Sequence, residues 1–376
     1  MIRQKKFLWL GGVFDEKTIN SFPSMSPASN FWQRGFIEAL KMQGHNIHVI
    51  GHPVERVYPF GRLDVRASQA SFPDTFTGNA VGYVNAPFLR EAVQYVNYRR
   101  ATRYHIKRKG LPDYVVTFSC LNKTSEWTAT ISAARSLRVL YGIPWICIVA
   151  DGVAPLGADG YVYLTWAYFE STGSPSPKLH LDGGIPTINK IAEENSTNHP
   201  KALMYMGALT PHGGVTLLAR ALQKLPDRSI ELWVCGRGEN EELERLARID
   251  ERIKLIGFVS EEKLNELANS AYAFVNPRPS DFTPNKLNYP SKLLHYLAYA
   301  KPVISTWTEG LSPEYQDLLV QVVDETEDGL ALTIQMVLNM TDVELQSISV
   351  KIEKFNESHE WPHQIGRFIF WLLNEL

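Results

Sequence analysis

Residues 288–306 read NYPSKLLHYLAYAKPVIST, and the stretch joins a short apolar helix to a proline-led strand. Leu293, Leu294, Leu297 and Ala298 fall at i, i+1, i+4 and i+5 and form one apolar face. Pro290 ends what precedes, and Ser291 has the chemistry of an N-cap. Pro302 stops the helix, and Val303-Ile304-Ser305-Thr306 reads as a buried strand. Lys292 is the odd residue, a cation in a first turn where the helix dipole disfavours positive charge. Such a placement makes sense when an anion docks there.

Outward from this helix–strand unit, apolar runs of the two kinds alternate. Phe7–Gly12, a helix from about Pro27 to Gln43 and Asn46–Gly51 come first. Tyr114–Phe118, a helix near Ser125–Tyr141 and Trp145–Ala150 follow. That order implies a parallel sheet covered by helices. Between Gly173 and Pro200 the chain turns rich in Ser, Pro, Gly and Asn, which places a domain boundary near residue 190. Strands at Ala202–Met206, Ile230–Cys235, Ile253–Ile256, Ala273–Asn276 and Pro302–Ser305 then alternate with helices at Gly214–Leu225, Glu241–Ile249 and Ser260–Asn269. The expectation is α/β: two doubly wound, Rossmann-like domains, 1–190 and 191–359, facing across a cleft. The apolar helix 360–376 has to be covered and would pack back on the first domain. Ligands of such sheets bind at the carboxyl ends of the strands.

The chain has 376 residues, 44% hydrophobic, with a net charge of −2. That supports two cored domains and gives no overall drive toward nucleic acid. Cys120, Cys147 and Cys235 are far apart, without metal-ligand spacing, and read as reduced thiols of a cytoplasmic protein. The basic then apolar start is too short and glycine-broken for a signal peptide, and it reads as a first strand. No run approaches the roughly 20 apolar residues of a membrane span.

Four turns at strand ends of the second half carry the chemistry: Met206–Gly214, Cys235–Glu239, Val275–Pro279 and Ser291-Lys292. Each alone is ordinary α/β turn chemistry. Together they put glycines, Arg237, Arg278 and Lys292 on one edge. A diphosphate needs about two positive charges or a metal. No paired carboxylates of the D-x-D kind stand at a strand end, so cations and a helix N-terminus would hold it.

At this point the order YMGALTPHGGV, ELWVCGRGE, RIKLIGFV, FVNPRP, YPSKLLHYLAYAKPVIST resembles the C-terminal half of glycosyltransferase family 4, retaining enzymes of the GT-B fold. It is most similar to bacterial members with an NPR segment and an F/Y-P-S-K-x-x-E-Y helix, over Leu203 to about Tyr315. The resemblance implies a nucleoside-diphosphate sugar held by the second domain, a hydroxyl acceptor in the first, and no required metal or other cofactor. By position, Ser291 and Lys292 would grip the diphosphate with Arg278 as second cation, Asn276 lying in the same turn. Gly213 and Gly214 would approach the phosphates, and Arg237 and Gly238 would border the nucleotide. The family's two glutamates are Leu287 and His295 here, and His295 offers one hydrogen bond where a carboxylate grips two ribose hydroxyls. The family's phosphate-loop Arg and Lys are Ala208 and Gly213.

In the first domain, Gly11-Gly12 ends a strand before a loop holding Ser24, Ser26 and Asn30. Gly12, Ser26 and Asn30 would serve the acceptor or the leaving diphosphate, or form a tight turn and capped helix. The resemblance implies a polar residue beside the sugar near Asp151, which would bind a hydroxyl or steady positive charge at the anomeric carbon, or simply form an Asp-Gly turn. The basic, aromatic run 97–109 is an ordinary solvated helix or a peripheral contact with an anionic membrane. His45, His48, His52, His359 and His363 read as surface or core histidines. The function expected is a retaining hexosyltransferase of bacterial surface polysaccharide synthesis, cytoplasmic or peripheral at the inner face of the membrane, with a possible lipid-linked acceptor. A catalytically silent donor-binding relative and a nucleotide-sugar epimerase on the same fold are the alternatives.

Overall fold

The structure is a computed structural model, which describes residues 3–121, 128–173, 175–188 and 201–376. The chain divides into two compact units, Met1–Gly184 with Trp361–Leu376, and Ile185–Glu360. The expected boundary near residue 190 and the position of Ser125 lie outside the described residues.

In the first unit, β1 (Lys6–Leu10), α1 (Glu16–Ser21), α2 (Pro27–Met42) and β2 (Asn46–Gly51) come first. β3 (Asp64–Val65), β4 (Thr77–Ala80), β5 (Tyr83–Val84) and α3 (Arg90–Lys109) follow. Then come β6 (Tyr114–Leu121), α4 (Ala129–Tyr141), β7 (Trp145–Gly152), β8 (Gly160–Tyr163), α5 (Trp166–Ser171) and β9 (Lys178–His180). Among the described residues, seven parallel strands lie in the order β4-β2-β1-β6-β7-β8-β9. β3 and β5 form a small antiparallel pair. Side chains of β1 alternate across the sheet: Phe7 and Trp9 enter a core with α2, while Leu8 and Leu10 enter one with α3 and α4. The last helix, which we number α13 (Trp361–Glu375), adds Ile365, Phe368, Ile369 and Leu372 to the α2 side.

The second unit runs β10 (Ala202–Met206), α6 (Val215–Lys224), β11 (Glu231–Cys235), α7 (Glu241–Ile249), β12 (Ile253–Gly257) and α8 (Glu261–Ser270). It continues with β13 (Ala273–Asn276), α9 (Thr283–Lys286), α10 (Lys292–Leu297), β14 (Val303–Ser305), β15 (Val320–Gln321), α11 (Glu327–Leu338) and α12 (Asp342–His359). The parallel order is β12-β11-β10-β13-β14-β15. Cores on both faces bury the sheet, one with α6, α7 and α11, the other with α10 and α12.

The strand order fixes where ligands can enter. From β10 the chain goes outward through β11 and β12, then returns to β13 on the other side. The switch point therefore lies between β10 and β13, where the two following loops diverge and leave a crevice. In the first unit the same reversal falls between β1 and β6.

Candidate functional site

The two loops at the switch point of the second unit touch through backbone. Gly214 adopts φ +71 as it caps α6, and a Cβ there would overlap the Pro277 carbonyl oxygen. Only glycine meets both demands. Gly213 is packed as closely, since a Cβ there would overlap the Tyr205 hydroxyl. The next loop joins them: Leu209 N–H donates to Arg237 O at 2.9 Å, and the Asn240 amide donates to Leu209 O at 3.3 Å. Arg237 lies over Phe258, its Cζ 3.5 Å from the ring centroid, and Gly238 has φ +132. The candidate residues Gly213, Gly214, Arg237, Gly238, Asn276 and Arg278 thus stand on three adjoining loops.

Arg278 is held by Asn285, whose Oδ1 accepts from its Nε at 2.6 Å. The Asn285 amide donates to His212 O at 3.1 Å and to Pro279 O at 2.8 Å, and the residue is fully buried. His212 also stacks on Phe282, centroids 4.3 Å apart. Asn276 is buried with its amide donating at 2.9 Å to Oγ of Ser305, its register partner on β14, while its Oδ1 has no partner among the described residues. These side chains clamp the Arg278 loop to the glycine loop.

α10 aims the second cation. The Tyr296 hydroxyl receives the Met206 N–H at 2.9 Å, tying the helix to the end of β10. One turn earlier, Lys292 Nζ lies 4.1 Å from the Tyr205 ring centroid, and it has no hydrogen-bond acceptor among the described residues. It also packs against Gly207, where a Cβ would come within 2.9 Å of Nζ. Burial pushes Lys292 down to about 7, and Arg278 adds like-charge repulsion. Cation–π contact offsets part of that cost. Arg278 and Lys292 thus bring two basic groups close together, and Lys292 Nζ has no acceptor among the described residues. His295, on the same helix, is pushed down to about 4 by burial and is neutral at pH 7.

Ser291 corrects one expectation. Its backbone is helical, its side chain makes no capping bond and it is exposed. The turn starts a residue earlier, because Pro290 O accepts the Leu293 N–H at 2.9 Å. A cap needs extended backbone, which Ser291 lacks there.

The first-unit candidates are placed differently. Gly12 is at the carboxyl end of β1. Ser26 caps α2 through its Oγ, accepting the Ser29 N–H at 3.2 Å, with Pro27 at the first helical position. Asn30 uses both amide ends on Phe14, accepting its N–H at 2.8 Å and donating to its carbonyl at 3.1 Å. The capped-helix reading accounts for those two side chains. Asp151 is exposed at the end of β7, pairing with Cys120 in register. Cys147 and Cys235 are buried thiols that form no disulfide among the described residues. Residues 97–109 lie on α3, which buries Tyr98 and Thr102 and exposes Arg100, Arg103, Lys107, Arg108 and Lys109. No helix among the described residues is long and apolar enough to cross a membrane.

Sequence reasoning missed Asn285 and Tyr205. An N-K after a proline and a strand tyrosine give no local signal, because His212 and Lys292, which they meet, stand far away in the sequence.

Residues 200–339 match the family model described as Glycosyl transferases group 1. Among curated proteins none matches the chain in sequence. In fold, it is similar to the sucrose-phosphate synthase of Thermosynechococcus elongatus, with 14% identity, TM-score 0.69 and 99% of each chain covered. A glycosyltransferase from Rickettsia africae gives 13% identity and TM-score 0.70, with 98% of each chain covered. Anabaena HepE, solved with UDP and glucose, gives 12% identity and TM-score 0.63, covering 97% of this chain and 99% of that one. The group 1 match over residues 200–339 marks the chain as a glycosyltransferase, and the shared architecture gives it the GT-B fold.

Proposed function

We propose that this glycosyltransferase transfers a hexose with retention from a nucleoside-diphosphate sugar, bound at the β10/β13 switch point, to a hydroxyl acceptor bound by the first unit. The observation that carries it is the Lys292 side chain, near Arg278 and without an acceptor among the described residues. The diphosphate seats between them and the Gly207–Gly214 backbone, and His295 meets a ribose hydroxyl. The bond from anomeric carbon to diphosphate oxygen breaks, the acceptor oxygen bonds to the same face, and its proton passes to the diphosphate. Charge develops on the leaving oxygens, so the cations contribute most where the transition state needs them, with no metal required. Asp151 steadies the positive anomeric carbon. HepE, solved with UDP and glucose, supports a nucleotide donor. We further assign the acceptor to a lipid-linked glycan of surface polysaccharide synthesis, met at the inner face of the membrane through the exposed basic side of α3.

Incubation with radiolabelled UDP- and GDP-sugars tests the reaction, with EDTA present throughout. Slow release of free labelled sugar is expected. Interconversion of sugars marks an epimerase, and saturable binding without turnover marks a silent relative. Lys292→Ala is expected to weaken nucleoside-diphosphate binding by about 1.5–3 kcal/mol, the scale of a hydrogen bond to a charged group. Unchanged affinity by calorimetry removes Lys292 from the site.

A further inference from the structure

We propose that His52 belongs to a hydroxyl-binding site at the carboxyl end of β2, where it contacts the acceptor; this rests on the reading that the first unit receives the acceptor.

The backbone brings His52 to the place where ligands enter such sheets. Gly11 N–H donates to Ile50 O at 3.2 Å, and a Cβ on Gly51 would overlap the Gly11 carbonyl. The turns after β1 and β2 are therefore pressed together. His52 follows Gly51 directly, and a Cβ on Gly12 would lie 3.4 Å from the His52 carbonyl oxygen. The turn after β1 borders the switch point between β1 and β6, and the turn after β2 lies one strand away.

The ring is fixed on one side only. Its Nδ1 shares a hydrogen bond with the Tyr98 hydroxyl at 2.8 Å. Tyr83 and Tyr98 meet it edge to face, with centroids at 5.5 and 5.6 Å. Nε2 has no partner among the described residues. From α3, Arg90, Gln94 and Tyr98 come four residues apart on one face. Arg90 donates to Glu55 O at 3.2 Å. Gln94 is only 4% exposed, yet its Nε2 has no hydrogen-bond partner among the described residues. A buried donor left unpaired is costly, and it marks where a ligand oxygen or a water would be gained.

The chemistry of the group selects the ligand class. Burial, with Arg90 adding to it, holds the imidazole down at about 4, so it is neutral. With Tyr98 donating to Nδ1, Nε2 carries a proton and donates; with the opposite tautomer it accepts. Either way it offers one uncharged hydrogen bond, which suits a sugar hydroxyl rather than a phosphate. A purely structural histidine accounts for the Tyr98 bond, and Nε2 faces the partly exposed side of the ring, but the buried Gln94 Nε2 is left unpaired among the described residues.

Transfer from a radiolabelled nucleotide sugar to methyl glucoside, galactoside and mannoside tests the assignment, with nucleoside-diphosphate affinity measured beside it. In His52→Gln the acceptor KM is expected to rise about tenfold while nucleotide affinity stays within about twofold, since one hydrogen bond is worth that order. Tyr98→Phe, which frees the ring, should give a smaller rise. An unchanged acceptor KM in a folded His52→Gln overturns the proposal. So does a wild-type protein that hydrolyses donor but transfers to none of the three glycosides. A wild-type protein that binds no nucleotide sugar overturns the transferase reading itself, a separate result. If His52→Gln does not fold, the imidazole nitrogen resonances of the wild type are followed as glycoside is added. A saturable shift at His52 Nε2 supports the site, and an unmoved resonance beside detectable transfer overturns it.

Discussion

Asn285 carries no charge, yet it decides where the charge of Arg278 lies. Its amide makes three hydrogen bonds across two loops, to Arg278 Nε, His212 O and Pro279 O. Asn285→Leu removes all three inside a buried site, and each group left unpaired costs about 1–3 kcal/mol. Thermal unfolding should fall clearly, and nucleoside-diphosphate affinity should fall several-fold as Arg278 loses its support. Asn285→Asp keeps an acceptor for Arg278 and should restore most of the affinity but not the stability, because its carboxylate cannot donate to the carbonyls. Full nucleotide affinity in Asn285→Leu would show that Arg278 needs no such hold. At this scale the sequence was half legible. Lys292 announced itself by standing against the helix dipole, and Arg278 by its charge after a strand. Asn285 could not, because its meaning lies in a carbonyl 73 residues away.

Among elements, α10 shows what periodicity reads well and what it does not. The apolar face of Leu293, Leu294 and Leu297 is buried as the spacing requires. The parallel, helix-covered sheets followed from alternating apolar runs for the same reason. The capping role given to Ser291 failed, because one carbonyl upstream started the turn. The anchor is Tyr296, whose hydroxyl takes the Met206 N–H at the end of β10 and lies 3.2 Å from the Met206 carbonyl. Tyr296→Phe leaves that N–H without its partner and should destabilise the protein by about 1–3 kcal/mol in chemical denaturation. It should also loosen Lys292 and weaken nucleotide binding. An unchanged denaturation midpoint would mean that the α10 cores alone hold the helix in place.

For the whole molecule, neutral buried bases set an acid limit. His52, His105 and His295 are each pushed down to about 4 from an ordinary 6.5, burial being the largest cause in every case. His105 also stacks on His48 at 4.4 Å, and His48 and Lys109 repel its charged form. The sign follows from linkage. Below 6.5 the unfolded chain takes up protons that the folded chain refuses, so stability is lost as pH falls from about 6.5 to about 4. Lys292, at about 7 instead of 10.5, acts the same way at higher pH: folding is favoured more at pH 10 than at pH 7. Carboxylates held below their usual range, such as Asp159 beside Arg138 and Asp250 beside Arg252, act later. Their contribution is present above about 4 and lost beneath it. Acidification should therefore weaken the protein in two stages, histidines first. Urea midpoints at pH 7.5, 6, 5 and 4.5 measure the first stage directly. His105→Gln, which removes a titrating group at a partly exposed position, should flatten the slope between pH 6.5 and 4 while leaving the midpoint near pH 7.5 almost unchanged. A slope that begins only below pH 4.5 would assign acid sensitivity to the carboxylates alone, and would mean that the folded protein accepts protons on these imidazoles as readily as the unfolded chain does.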